Sequence, residues 1–113
     1  RLAELYLNYA EALNEAQGPS QEVYDALNKI RSRVGLPNVE DVWSNSSLAK
    51  TVNKHANQDG LREIIKQERT IELAFEGHRY QDVRRWKEAD KYFNNSIKGF
   101  PHEENFYCYA CLQ

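Results

Sequence analysis

The sequence predicts an all-α fold in which a hairpin of two helices is followed by a long charged helix, a shorter helix packed with it, and an irregular loop and tail. Three observations carry this. Apolar residues return at spacings of three and four in residues 1–17, 21–34 and 61–75, the period of a helix with one covered face. Two glycine-proline breaks, Gly18-Pro19-Ser20 and Gly35-Leu36-Pro37, punctuate the pattern where a helix can close but not continue. The first break is so short that the helices on either side of it must run antiparallel.

In the first helix Leu2, Tyr6, Tyr9 and Leu13 mark an apolar face, broadened by Ala3, Leu7 and Ala10, while Glu4, Asn8, Glu11 and Glu15 form a polar row. A face this wide needs more than one neighbour, as in a helix packed between others. Ser20 is placed to cap the second helix, about residues 21–34, whose apolar positions are Val23, Leu27, Ile30 and Val34. Gly35 then fits a left-handed cap, with Leu36 turned back on the last turn and Pro37 as the stop. The hairpin is close to the period of a tetratricopeptide repeat, but one copy does not establish a repeat. Residues 36–58 have weak periodicity and read as loop, with a short helix at 47–56 and an exposed Trp43.

The long helix begins near Asp59, a candidate cap, and places Leu61, Ile64, Ile65, Ile71 and Phe75 on one face. Glu68, Glu72 and Glu76 lie four apart and interrupt that face as a single row. Carboxylates there need cations, because an ionised group without one is expensive to remove from water. The segment itself offers Arg69, Arg79, Arg84 and Arg85. Gly77 is read as the end of the helix, and a second helix from Arg79 through Trp86 to Tyr92 or Phe93 as the carrier of the remaining arginines.

The 113 residues are 41% hydrophobic and carry a formal net charge of -2, one domain's worth of chain. Acidic and basic residues are interleaved, which argues against a nucleic-acid surface. No run approaches the roughly twenty apolar residues of a membrane span. Cys108 and Cys111 are the two cysteines, too few for a disulfide framework. With no methionine and a helical pattern already running at Arg1, the chain reads as a fragment of a longer protein.

The run ERTIELAFEGHRYQDVRRW, from Glu68 to Trp86, resembles the signature of the SusD/RagB family, and RLAELYLNYAEALNEA and ALNKIRSRVGLP resemble the helical pair that precedes it there. The likeness extends over residues 1–99, leaving 100–113 as an irregular tail. It implies a tetratricopeptide-like scaffold and makes this fragment the C-terminal helical part of a longer SusD-like protein. It also implies a surface-exposed lipoprotein of the outer membrane of Bacteroidetes-type bacteria, which binds a glycan or oligosaccharide and passes it to a SusC-like, TonB-dependent transporter. Such a protein meets the membrane only through a lipid anchor that these residues do not include.

Each chemical reading has a plainer rival. Glutamates four apart on a helix hold their side chains about 5 to 6 Å apart, which overlaps the separation of about 5 Å between the carboxylates of a retaining glycosidase. Ion pairing is preferred, since a face under arginines leaves no cleft for a sugar and no protonated acid. No Glu-x-x-His pair is present for a carboxylate-bridged metal site. Cys108 and Cys111, even with His102, are short of a zinc set, so neither metal nor cofactor is assigned. Tyr80 and Trp86 read as packing residues, leaving Trp43 as the aromatic to test for ligand contact. The leading expectation is therefore a non-enzymatic nutrient-binding component to which this slice contributes scaffold. A tetratricopeptide-like adaptor that grips a peptide is the alternative, with an enzyme third.

Overall fold

A computed structural model describes residues 1–94, and every described regular element is helical. The chain divides into two compact units, Arg1–Glu76 and a second that starts at Gly77. The expected boundary at Gly99, the irregular tail and the Cys108–Cys111 pair lie outside the described residues.

In the first unit, α1 (Leu2–Gln17) and α2 (Gln21–Arg33) form the hairpin that the Gly18-Pro19 break predicts. The buried face of α1 is centred on Leu7, Ala10 and Asn14, with Tyr6 and Leu13 half-buried; Leu2 and Tyr9 are exposed, so the covered side is rotated from the expected one. From α2, Val23, Ala26, Leu27 and Ile30 enter the core. Val34 is exposed instead, because the helix has already ended in its cap. That cap takes the expected left-handed form: Gly35 has φ +74°, Leu36 N–H donates to Arg31 O (3.0 Å) and Gly35 N–H to Ser32 O (3.1 Å). Ser20 holds the N-cap position of α2, although its hydroxyl makes no capping bond.

The loop region departs from expectation. Its α-helix is α3 (Val39–Ser44), and only a single 3₁₀ turn, Lys54–Ala56, falls within 47–56. Two contacts from α2 hold α3 where sequence periodicity is silent: Asn28 Oδ1 accepts from Val39 N–H (2.9 Å), and Asn28 Nδ2 donates to Glu40 (2.9 Å). Val39 is thereby delivered into the core. Trp43 lies in α3 rather than on an irregular loop, half-buried against the core.

The next helix, α4, spans Gln58–Glu72. Its cap is Asn57, whose side chain accepts from Asp59 N–H (3.2 Å), so Asp59 sits in the first turn and is not itself the cap. Leu61, Ile64 and Ile65 are buried as the spacing requires. The helix stops four residues before Glu76: Leu73 is the buried cap, Phe75 adopts φ +64°, and Ile71 and Phe75 are exposed rather than part of the covered face. Side chains of α1 to α4 and of Leu73 make one core.

In the second unit Gly77, at φ +80°, precedes α5 (His78–Arg85). It starts this helix, whereas the sequence pattern predicts that it closes the preceding one. The expected continuous helix to Phe93 is broken. Lys87 takes φ +58°, with Glu88 N–H donating to Val83 O (2.9 Å) and Lys87 N–H to Arg84 O (3.0 Å), a left-handed cap formed without glycine. A short α6 (Ala89–Phe93) follows.

Candidate functional site

The glutamate row is the densest charged feature of the first unit. The cations that meet it there come from α2 and from the residue preceding α1. Glu68 pairs with Arg31, which is buried and also donates from Nε to Pro37 O (2.7 Å). Glu72 receives Arg33 at 2.7 Å and Arg1 at 3.1 Å. Glu76, beyond the helix end, still reaches Arg1 at 2.8 Å from a turn in which its N–H donates to Leu73 O (3.2 Å). Arg1 additionally donates to the main-chain oxygen of Glu72 (2.6 Å). The acidic side chains that interrupt the apolar face of α4 therefore bind it to the hairpin.

A second set of polar contacts runs between α1 and α4. Arg69, buried, donates to Asn8 Oδ1 (2.6 Å). Arg62 grips both carboxylate oxygens of Glu15 at 2.5 and 2.8 Å, a bidentate fork that holds the Glu15 carboxyl below its usual range and raises the guanidinium. Asn14 and Gln58 exchange bonds across the same interface: Asn14 Nδ2 donates to Gln58 O (3.2 Å) and Gln58 Nε2 to Asn14 O (2.7 Å). The polar row Glu4, Asn8, Glu11, Glu15 thus does not simply face water.

Around α3, Tyr24 donates to His55 O (2.9 Å), and burial pushes its phenol up. Burial also pushes the Glu40 carboxyl up, but hydrogen bonds from Asn28 and Gln21 outweigh it and leave that group below its ordinary value. Trp43 carries Lys54 Nζ 5.5 Å from its ring centroid, and Lys54 is itself 2.5 Å from Glu63.

The arginines of the second unit lie against aromatic rings. Arg79 is 4.5 Å from the Tyr92 centroid, Arg84 5.5 Å from Tyr80 and Arg85 5.3 Å from Trp86. Tyr80 and Phe93 pack with centroids 5.8 Å apart. Asp82, buried on α5, accepts from Arg85 at 3.1 Å.

Sequence reasoning located the three glutamates, offered Arg69 as one of their cations where the described contact is to Asn8, and did not single out Arg1, Arg31, Arg33, Asn28 or Asp82. Of these, Arg31 carried a legible signal: it follows Ile30 directly, beside the apolar stripe of α2. Among the described residues no three His, Cys, Asp or Glu side chains gather as a metal site would need, and no helix is long and apolar enough to cross a membrane.

Comparison with known proteins gives one answer. The profile of the SusD family matches residues 1–107. A SusD-like protein P2 from Formosa agariphila is 38% identical over 106 residues, covering 94% of this chain and 19% of the relative. SusD-like protein P25 of the same organism is 40% identical over 86 residues, covering 76% and 14%. The crystal structure of a SusD-like protein from Bacteroides fragilis superposes with a TM-score of 0.61 at 42% identity, over 79% of this chain and 14% of that one. The chain spans no more than about a fifth of these relatives' length.

Proposed function

This chain belongs to the SusD family, and from that premise we propose that the full-length protein is a non-enzymatic glycan-binding component of a polysaccharide uptake system. It works at the cell surface as an outer-membrane lipoprotein, handing a glycan or oligosaccharide to a SusC-like, TonB-dependent transporter. The observation that carries the reading is the family match over residues 1–107, supported by relatives at 38 and 40% identity.

Within that protein, residues 1–94 serve mainly as scaffold. Supporting this, the tempting carboxylates Glu68, Glu72 and Glu76 are committed to Arg31, Arg33 and Arg1, contacts that fasten α4 to the hairpin. Trp43 is the aromatic in this part to test for a sugar, with one side against the core and Lys54 near its ring. The test is a glycan-array or pulldown measurement on the full-length protein, run beside a hydrolysis assay. Retention of an oligosaccharide that is recovered intact supports the reading; release of shorter sugars, or retention of peptides in place of glycans, overturns it.

A further inference from the structure

The short helices of the second unit leave aromatic rings in solvent. Tyr80 on α5 is 55% accessible, and Tyr92 and Phe93 on α6 are 40% and 52% accessible. The residues that α5 buries are Val83 and, beside it, Asp82. Tyr80, which the sequence pattern assigns to packing, is only partly used that way: its ring meets Phe93 at 5.8 Å and Arg84 at 5.5 Å, and more than half of it stays open. Tyr80 and Arg84 lie four residues apart on α5, which sets them on the same side of the helix.

The same stretch is the basic part of the described chain. Residues 77–94 hold five lysine or arginine side chains and three acidic ones, whereas residues 1–76 hold nine and twelve. The acids are also the less accessible partners: Asp82 is buried with Arg85 on it and Glu88 is half-buried, so that Asp90 alone of the three is exposed. Arg84 is exposed and faces a ring, and among the described residues none of its contacts is with a carboxylate. It differs in this from Arg31 and Arg33, which are taken up by glutamates.

A guanidinium held beside an aromatic ring has already given up part of its freedom, and it presents a planar fork of donors matched to the oxygens of a carboxylate or sulfate. Rings half in water offer flat apolar surface to the C–H face of a pyranose, with a phenol hydroxyl at the rim. A neutral sugar would use the rings and leave the fork unfilled, while a small inorganic anion would fill the fork and ignore the rings. A sugar that carries an acid group uses both. Resting on the glycan-binding reading above, we infer that the Tyr80, Arg84, Phe93 surface is a subsite for an acidic saccharide, whose carboxylate or sulfate ester meets Arg84 while its ring lies against the aromatic side chains. Tyr92, with Arg79 4.5 Å and Lys91 5.4 Å from its ring centroid, adds a second ring of the same electropositive kind.

Titration calorimetry on the full-length protein tests the subsite with three probes of equal length: an oligogalacturonate, a sulfated galactan oligosaccharide and a neutral malto-oligosaccharide. An acidic probe should bind more tightly than the neutral one, lose affinity with added salt, and weaken at least about tenfold in Arg84→Gln, the loss of one charge-assisted contact. Which acidic probe binds tells carboxylate from sulfate recognition. Failure of both acidic probes, or acidic binding unchanged in Arg84→Gln, overturns the subsite; the glycan-binding reading falls with it only if a broad glycan array is blank as well. Should Arg84→Gln fail to fold, phenylglyoxal labelling of the unmodified full-length protein decides. Arg84 should be labelled in the free protein and protected several-fold by the acidic probe; an Arg84 already shielded without sugar, or labelled equally with and without it, overturns the subsite.

Discussion

Arg31 and Glu68 form the least solvated of the described pairs that meet the glutamate row, and the first unit's stability should depend on them unequally with the rest of that row. Both side chains are largely covered, whereas the partners of Glu72, Arg1 and Arg33, are about half exposed. Removing one member of a buried pair strands the other charge, at a cost of about 3 kcal/mol; a solvent-screened pair is worth up to about 1 kcal/mol. Glu68→Ala should therefore lower the thermal midpoint clearly more than Glu72→Ala, and equal shifts would contradict the burial ordering. The Glu15 and Glu40 carboxyls titrate below their ordinary range in the folded chain, Glu15 through the Arg62 fork and Glu40 through hydrogen bonds that overcome its burial. The unfolded chain then binds protons first as pH falls, so these groups stabilise the fold above the unfolded value of about 4.3. That contribution is lost as pH drops through their folded values. Glu15→Gln should leave stability-versus-pH less steep below about pH 5, by no more than about 1 kcal/mol because the pair is partly solvated. At this scale the acidic residues were legible from their spacing. The cations were not, since Arg31 and Arg33 lie 37 and 39 residues from their partners and only the fold brings them near.

Among elements, the breaks were more legible than the turns that follow them. Gly18-Pro19 and Gly35-Leu36-Pro37 end helices where chain chemistry demands it. The left-handed residues Phe75 and Lys87, in the turns that follow α4 and α5, are not glycines and nothing in the sequence announces them. Gly60 is the least obvious constraint: it lies inside α4, where glycine is a poor choice, yet a β-carbon there would come 2.1 Å from the Lys54 main-chain oxygen. The 3₁₀ turn is packed directly against the helix. Gly60→Ala should thus destabilise by about 1–3 kcal/mol through overpacking, despite the gain of up to about 1 kcal/mol in helix propensity. It should also speed hydrogen exchange in residues 54–56. Gly35→Ala meets no neighbour and is penalised only through its positive φ, by about 1–2 kcal/mol. Exchange in the 3₁₀ turn should then be unaltered, and faster exchange there would show that the two sites are not independent.

For the molecule as a whole, the scaffold reading separates binding from the glutamate row. In the full-length protein Glu72→Gln should retain oligosaccharide affinity within about twofold, a change below roughly 0.5 kcal/mol, while lowering the melting temperature. A large loss of affinity with an unchanged melt would place Glu72 in the ligand site. The breadth of the apolar surface on α1 was legible in the sequence: ten apolar side chains on one helix exceed what a single neighbour covers. Which of them turn inward was not, because Leu7 and Ala10 differ from Leu5 and Tyr9 only in where α2 and α4 come to rest.

The sequence by itself determined the all-α class, the antiparallel hairpin, the covered face of α4 through Ile65 and membership of the family, since helical period, glycine-proline punctuation and a signature run are local properties. Tertiary structure alone decided which arginines meet the glutamates in the first unit, where α3 forms, and which side of α1 stays open. Those outcomes depend on contacts between residues far apart in the chain, and a short-range pattern holds no record of distance in space.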